Sequence, residues 1–334
     1  MRTSASAAPS NVERSDGKPR LALPSLRLGV GPRADGVTAL RGAVVVESMN
    51  GARFLHDQLE LAGWDVRLAD PLRARALAPL ACKTDRIDAW VLAELARRDL
   101  VPEVWLPDPA VRQERERARF RLHLVKHRTM LKNRIHQTLI AHGHARPSVG
   151  LFTQKGRDLL ERLQLPEPWW GTVQASLALI EALDQQIASI ERELRRLGAD
   201  HRYVPLLRTV PGIAWVLAYT IASEIGDITR LPNPRKLIGY TGLCPRVYQS
   251  GEKDWRGALA KNGPVYLRWA LIEAAHNAAR DPLYRQLAER QRGRHARGRG
   301  SAIAAITIAR KLTEAIWWML TRNQPFAPAG ARSA

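Results

Sequence analysis

The sequence predicts an α/β unit followed by a mostly α-helical one, and three observations predict it. A β-branched run, Val44-Val45-Val46, is followed within about twenty residues by a second alternating strand. A heptad seam then occupies the middle of the chain, and everything beyond His201 carries helical spacing broken by Pro- and Gly-rich stretches.

Residues 1–41 are rich in Ser, Pro, Gly and Arg without a period, and read as an irregular lead-in. Order begins at Gly42. Ala43 to Val46 suits a buried strand that ends on Glu47. Phe54, Leu55, Gln58, Leu59 and Leu61 suit a short helix stopped by Gly63, and Trp64 to Ala69 alternates as a second strand. Strand, helix and strand at this spacing imply a parallel pair with a right-handed crossover. A helix is expected from Thr84 to Arg98. From Val111 to Ala141 runs a long helix with seven Arg and two Lys against two Glu between Arg112 and Arg134, and with Phe120, Leu124 and Leu131 on its inner stripe. A solvated charged face is the plain alternative to a binding role there. Ile180, Leu183, Ile187, Ile190, Leu194 and Leu197 form the heptad seam. That seam fits either an intermolecular coiled coil or an antiparallel hairpin with the basic helix.

Leu206 to Asp227 has the pattern of a helix-hairpin-helix, in which the Pro211-Gly212-Ile213 turn offers backbone N–H groups to a phosphate. Breaks follow at 231–234 and 242–264. Arg285 to Arg299 places six Arg in what reads as an exposed arm, before a last helix from Ile303 to Arg322. The expected division is therefore 1–41 lead-in, 42–110 α/β catalytic domain, 111–200 basic helix and coiled-coil linker, 201–325 helical C-terminal domain, and 326–334 tail.

Composition bounds the partners. The chain has 334 residues, enough for two modest cores, with 45% hydrophobic and 25% charged residues. Its 52 Lys and Arg against 32 Asp and Glu leave a net charge of +20. A surplus of that size points to a polyanion, through release of counterions from each phosphate contacted. A membrane surface is anionic too, so charge alone does not choose. No uninterrupted apolar run of about 18 residues exists to span a bilayer, and the first twenty residues lack a secretory core. Cys82 and Cys244 are too few for a metal cluster. They fit small buried residues in a reducing cytoplasm.

The chemistry-bearing residues fall into two groups. In Lys83-Thr84-Asp85-Arg86-Ile87-Asp88-Ala89 two carboxylates stand three apart, on one face of a helix. A helix start, with Thr84 as cap and acids in the first turn, is the plain alternative. Glu47, at the carboxyl end of a strand where α/β sheets gather ligand groups, adds a third acid. Glu47, Asp85 and Asp88 together are a candidate Mg²⁺ set, because Mg²⁺ takes oxygen ligands and keeps waters for substrate phosphates. In the C-terminal half, Leu237-Ile238-Gly239-Tyr240-Thr241-Gly242-Leu243-Cys244-Pro245 leads to Gln249-Ser250-Gly251, then to Ala260-Lys261-Asn262-Gly263 and Leu267-Arg268.

Val-Val-Val-Glu followed by Lys-Thr-Asp-Arg-Ile-Asp-Ala is similar to the catalytic domain of the IS110 family of insertion-sequence transposases. The C-terminal series resembles the transposase domain of the same family. The resemblance spans roughly 42–128 and 203–325. It implies a RuvC-like, RNase H-type N-terminal domain whose DEDD acids bind Mg²⁺, with Glu47, Asp85 and Asp88 as second, third and fourth acids. The family's first acid lies on a central strand that has no match here. Asp16 and Asp35 sit in no apolar run, so an incomplete, N-terminally degenerate domain is expected.

The resemblance also implies that Ser250 attacks DNA and becomes covalently linked to phosphate. No His-Asp pair lies near it in sequence, so activating acids and metal would come from the other domain, in a site shared across domains or subunits. A Ser-Gly turn is the plain reading of Ser250. Lys253, Arg256, Lys261 and Arg268, with Arg208, Arg128 and Lys132, are the expected phosphate contacts. A DNA transposase or site-specific recombinase follows, with a structured guide RNA implied by the resemblance, no membrane partner, and a homodimer or homotetramer. The alternatives are a RuvC-like metal-dependent junction nuclease that uses water and no serine, and an inactive remnant that still binds nucleic acid.

Overall fold

The computed structural model describes residues 43–78, 84–144, 150–251, 253–294 and 299–327. The lead-in with Asp16 and Asp35, Cys82, Lys83 and most of the tail lie outside the described residues. The chain divides into two compact units, up to Leu106 and from Pro107 onward.

In the first unit β1 (Ala43–Glu47) pairs in parallel with β2 (Asp65–Ala69), with Val45 opposite Arg67 and Glu47 opposite Ala69. The crossover is α1 (Ala52–Leu61), which buries Ala52 and Leu59 and is followed by a turn through Gly63 at φ +86°. This is the predicted strand–helix–strand order. β1 differs in burial: Val44, Val45 and Val46 are half-buried, because β2 is its one strand partner among the described residues.

Asp70 caps α2 (Pro71–Leu77) by accepting from the Leu72 and Arg73 N–H groups at 2.9 and 3.1 Å. Thr84 caps α3 (Asp85–Arg97), its hydroxyl accepting from the Ile87 N–H at 3.3 Å. Ala69, Ala74, Leu95 and Val101 form a small core, against which Val45, Val91, Leu92 and Ala96 pack.

The second unit begins with α4 (Pro109–Ala141), capped by Asp108. It continues through α5 (Gln154–Arg162) to α6 (Trp169–Ala199). Arg117 pairs with Glu193, Arg121 with Glu191 and Arg128 with Asp184, so the partners descend as α4 ascends. The heptad seam is therefore one side of an antiparallel hairpin within the chain: Ile180, Ile187 and Leu194 are buried, and Leu183, Ile190 and Leu197 half-buried. The inner stripe of α4 is the expected one only in part: Leu124 and Leu131 are half-buried, Leu131 against the core of Ile135 and Leu139, but Phe120 is not on it. Ala118, Leu122, Ile135 and Leu139 are buried, while Phe120 is 50% exposed, two residues and roughly 200° of helix away from Ala118.

Beyond the hairpin come α7 (Val204–Leu207), α8 (Trp215–Ile225), a 3-10 turn at Ile228–Arg230 and α9 (Pro234–Thr241). α8 is buried from Ala218 to Ile225 and packs with α10 (Val265–Ala278) and α12 (Arg299–Arg322) in the largest core.

Two sequence expectations are corrected here. The Gly-rich break at 242–264 contains an antiparallel hairpin, β3 (Pro245–Ser250) and β4 (Lys253–Leu259). The arginine-rich arm is helical up to Arg294: α11 (Pro282–Arg294) packs on α12 and buries Tyr284 and Ala288. Its remainder at 295–298 lies outside the described residues.

Candidate functional site

The predicted acids all belong to the first unit. Glu47 ends β1 and is half-buried, whereas Asp85 and Asp88 occupy the first turn of α3, the former exposed and the latter half-buried. α3 packs on β1, with Val91 and Leu92 meeting the same core as Val45. Both acids thus benefit from the helix N-terminus, as the plain helix-start reading required. None of the three carboxylates takes part in an ion pair among the described residues, so all remain available as oxygen ligands. They do not converge as a tight triad. The one set of three His, Cys, Asp or Glu residues whose ligand atoms lie within 4.8 Å of one another, among the described residues, is His56, Asp57 and Glu60 on α1. In that set the His56 ring lies 3.2 Å from Asp57 and 3.6 Å from Glu60.

Ser250 belongs to the second unit. It is the last residue of β3, exposed, opposite Lys253 across a turn in which Gly251 adopts φ +58°. The hairpin's base is fixed firmly. The Ala260 N–H donates to the Cys244 carbonyl at 2.8 Å, and the Lys261 N–H to the Gly242 carbonyl at 3.2 Å. Arg268 spans the same junction, donating to the Thr241 and Asn262 carbonyls at 3.1 Å each. Gly242 and Gly263 allow this closeness: a Cβ on Gly242 would lie 2.2 Å from the Asn262 oxygen, and one on Gly263 2.0 Å from the Tyr240 oxygen. Lys261, between them, holds φ +56°, a conformation uncommon outside glycine, and its side chain is exposed.

The other nominated cations have structural partners. Arg128 is paired with Asp184, Lys132 lies over the Phe152 ring at 4.7 Å, and the Arg208 guanidinium lies 3.7 Å from the Trp215 ring centroid. The side chains of Lys253 and Arg256 lie outside the described residues. Pro211-Gly212, with Gly212 at φ +84°, joins α7 to α8, and a Cβ there would meet the Ala274 carbonyl at 2.4 Å. That turn is packed against α10.

Sequence reasoning missed the node that anchors α4. Glu224, fully buried, accepts two hydrogen bonds from Arg119, at 2.6 and 2.9 Å. Arg115 donates to the Ser223 and Glu224 carbonyls at 2.8 and 2.7 Å. The bond to Glu224 raises the Arg119 pKa above its ordinary value. A lone charged residue in an otherwise uncharged helix, Trp215 to Ile225, was the available signal. Also missed were Tyr248 and Trp255, paired across the hairpin and 62% and 75% exposed.

Two family models match in chain order and together cover more than half of the chain. A DEDD transposase model of the IS110 type matches residues 38–142, and the Transposase IS116/IS110/IS902 family model matches 204–290. An α/β unit followed in the chain by a mostly helical unit is, on these matches, a transposase architecture. The chain belongs to the IS110/IS116 family of insertion-sequence transposases. It is 29% identical over 296 residues to the transposase for insertion sequence element IS1328 of Yersinia enterocolitica, covering 85% of each chain. The transposase for IS1111A of Coxiella burnetii is 26% identical over 299 residues, covering 85% of this chain and 79% of that one. A pilin gene-inverting protein of Moraxella bovis is 25% identical over 269 residues, 78% and 74% of the two chains. Among the described residues no helix is long and apolar enough to cross a membrane.

Proposed function

We propose that this chain is a DNA transposase or site-specific recombinase that cleaves and rejoins DNA through Ser250, assisted by Mg²⁺ held by Glu47, Asp85 and Asp88. The single observation that carries the reading is the placement of Ser250. It stands exposed at the end of a projecting hairpin, where a DNA backbone has access to its hydroxyl. Ser250 attacks phosphorus, the P–O bond to the departing strand breaks, and its own proton passes to a base. The serine then holds the phosphate as a diester until the incoming strand end displaces it.

The three acids suit a hard cation, being oxygen donors without ion-pair partners among the described residues. Mg²⁺ needs only one or two carboxylates plus substrate phosphates, so a tight triad is not demanded. Bound there, the ion would supply charge neutralisation at the phosphate. Lys261 and Arg268 flank the hairpin base, the first free to meet a phosphate and the second also bracing the loop. Lys253 and Arg256 belong to the same strand as the turn. The +20 surplus accommodates a structured guide RNA as well as DNA, and a homodimer or homotetramer supplies a serine for each of the several strands such exchange cuts.

The test is trapping of a covalent protein–DNA adduct on DNA carrying the ends of the insertion sequence, with RNA transcribed from the element present. The adduct is expected with the parent chain and absent from Ser250→Ala. An adduct that persists in Ser250→Ala refutes the serine, and strand cleavage by Ser250→Ala at the parent rate favours the water-using nuclease.

A further inference from the structure

We propose that Tyr248 and Trp255 form a base-stacking platform that seizes unpaired nucleotides beside the phosphate presented to Ser250. The inference rests on the reading of Ser250 as nucleophile for its purpose, and on geometry for its existence. Tyr248 and Trp255 are directly opposite in the β3–β4 ladder, and Ser250 is opposite Lys253 two pairs further toward the turn. Side chains alternate between faces of a strand, so residues two apart share a face. Tyr248, Trp255 and Ser250 therefore share one face, with the ring pair roughly 6.8 Å along the strand from the hydroxyl. A base stacked on these rings sits within about a nucleotide of the phosphate offered to Ser250. Gly257 adds no side chain beside the platform: a Cβ there would lie 3.6 Å from the Tyr248 ring.

Exposure makes this pair unusual. Large aromatic side chains ordinarily bury most of their surface, yet these are 62% and 75% exposed on a two-stranded ribbon among the described residues. The surroundings select the occupant. Residues 245–261 contain Arg246, Lys253, Arg256 and Lys261 against Glu252 and Asp254, and their aliphatic residues are few. A protein interface centres on a contiguous apolar patch poor in charge. Isolated rings among cations are what a single strand of nucleic acid requires, since every base offers a π-face and every phosphate a charge. Strand exchange by the proposed activity necessarily opens base pairs near the cut, which supplies such a strand.

The experiment is fluorescence anisotropy of the full chain with a fluorescein-labelled single-stranded oligonucleotide of mixed sequence, and with its duplex. Trp255→Ala and Tyr248→Ala are each expected to weaken single-strand binding by about tenfold, the scale of one lost base stack, and duplex binding much less. Trp255→Phe retains binding, and Trp255→Leu does not. Both sites are exposed, so folding is preserved, as unchanged circular dichroism verifies. Single-strand affinity equal to the parent in both alanine variants overturns the inference, as does full binding by Trp255→Leu. Loss of an oligomer in sedimentation with unchanged DNA affinity also overturns it, by showing that the rings face protein. Anisotropy involves no bond breaking, so its outcome is independent of the adduct assay on Ser250→Ala. Either proposal can fail while the other stands.

Discussion

Substitution of Glu224 tests how the basic helix is held to the C-terminal core. Glu224→Ala removes a fully buried carboxylate that accepts the two-pronged bond from Arg119 and lies 3.9 Å from the Arg115 guanidinium. Removing one partner of a buried pair costs about 3–5 kcal/mol, because the other charge is left uncompensated. Arg119 is 36% exposed and can turn partly to water, which places the loss toward about 3 kcal/mol. Arg115, 10% exposed at its side chain, keeps its two carbonyl bonds and adds little. Urea unfolding followed by tryptophan fluorescence, through Trp215 and Trp317 of the second unit, measures the change. Glu224→Gln keeps shape and one acceptor and falls between Ala and parent. Arg119→Leu combined with Glu224→Leu recovers part of the loss, since neither charge of the Arg119–Glu224 pair is then left buried without the other. A Glu224→Ala chain less than about 1 kcal/mol weaker than the parent, the net scale of an ordinary hydrogen bond, would falsify the idea that this node fastens α4.

Two further outcomes follow from the geometry. Hydrogen bonds from Arg97 and then Arg98 hold the Glu94 carboxyl at about 2, below its ordinary 4.5. A depressed carboxylate stabilises the fold above its unfolded pKa and loses that contribution as pH falls from about 4.5 to about 2. Glu94→Gln should therefore lower the melting temperature of the first unit slightly at neutral pH and leave it unchanged near pH 2. An equal decrease at both pH values would contradict the linkage. Lys261, exposed and held beside the hairpin base, is expected to contact one phosphate. Lys261→Ala should reduce the slope of log affinity against log salt by about one, uniformly across DNA sequences. An unaltered slope excludes it from the phosphate track.

The legible parts of the sequence were those with a period. α1, β2 and the two long helices declared themselves by spacing, because each buries one face and polar residues mark the other, and β1 by its run of β-branched residues. The β3–β4 hairpin was not legible for the opposite reason. Val247, Tyr248 and Trp255 are all exposed, so no contrast of buried against solvated positions accompanies the turn. Its Ser-Gly corner between alternating residues was the remaining clue, and neighbouring glycines made the whole stretch look like a break. α11 was hidden similarly: Arg290, Arg292 and Arg294 with Gly293 suggest an unfolded arm, while Tyr284 and Ala288, one turn apart, are enough to seat it on α12. Glu47, Asp85, Asp88 and Ser250 were visible as a pattern of residues. The same pattern assigned them to two different domains, the acids to the α/β one and the serine to the helical one.

The density of positive charge on α4 is the clearest case where composition and placement diverge. Nine cations between Arg112 and Arg134 look like a phosphate rail. In the fold, Arg117, Arg121 and Arg128 pair with acids of α6, and Arg119 pairs with Glu224. Lys126 lies over the Tyr266 ring and Lys132 over that of Phe152. Each such contact must be broken, or shared, before the same side chain can neutralise a phosphate, which lowers the net gain from binding there. Exposed cations without such a contact among the described residues lie elsewhere in the same unit: Arg192, Arg195 and Arg196 on α6, Arg290, Arg292 and Arg294 on α11, and Lys261 at the hairpin. A polyanion therefore gains most by following these surfaces, and α4 contributes chiefly as the strut that sets their spacing.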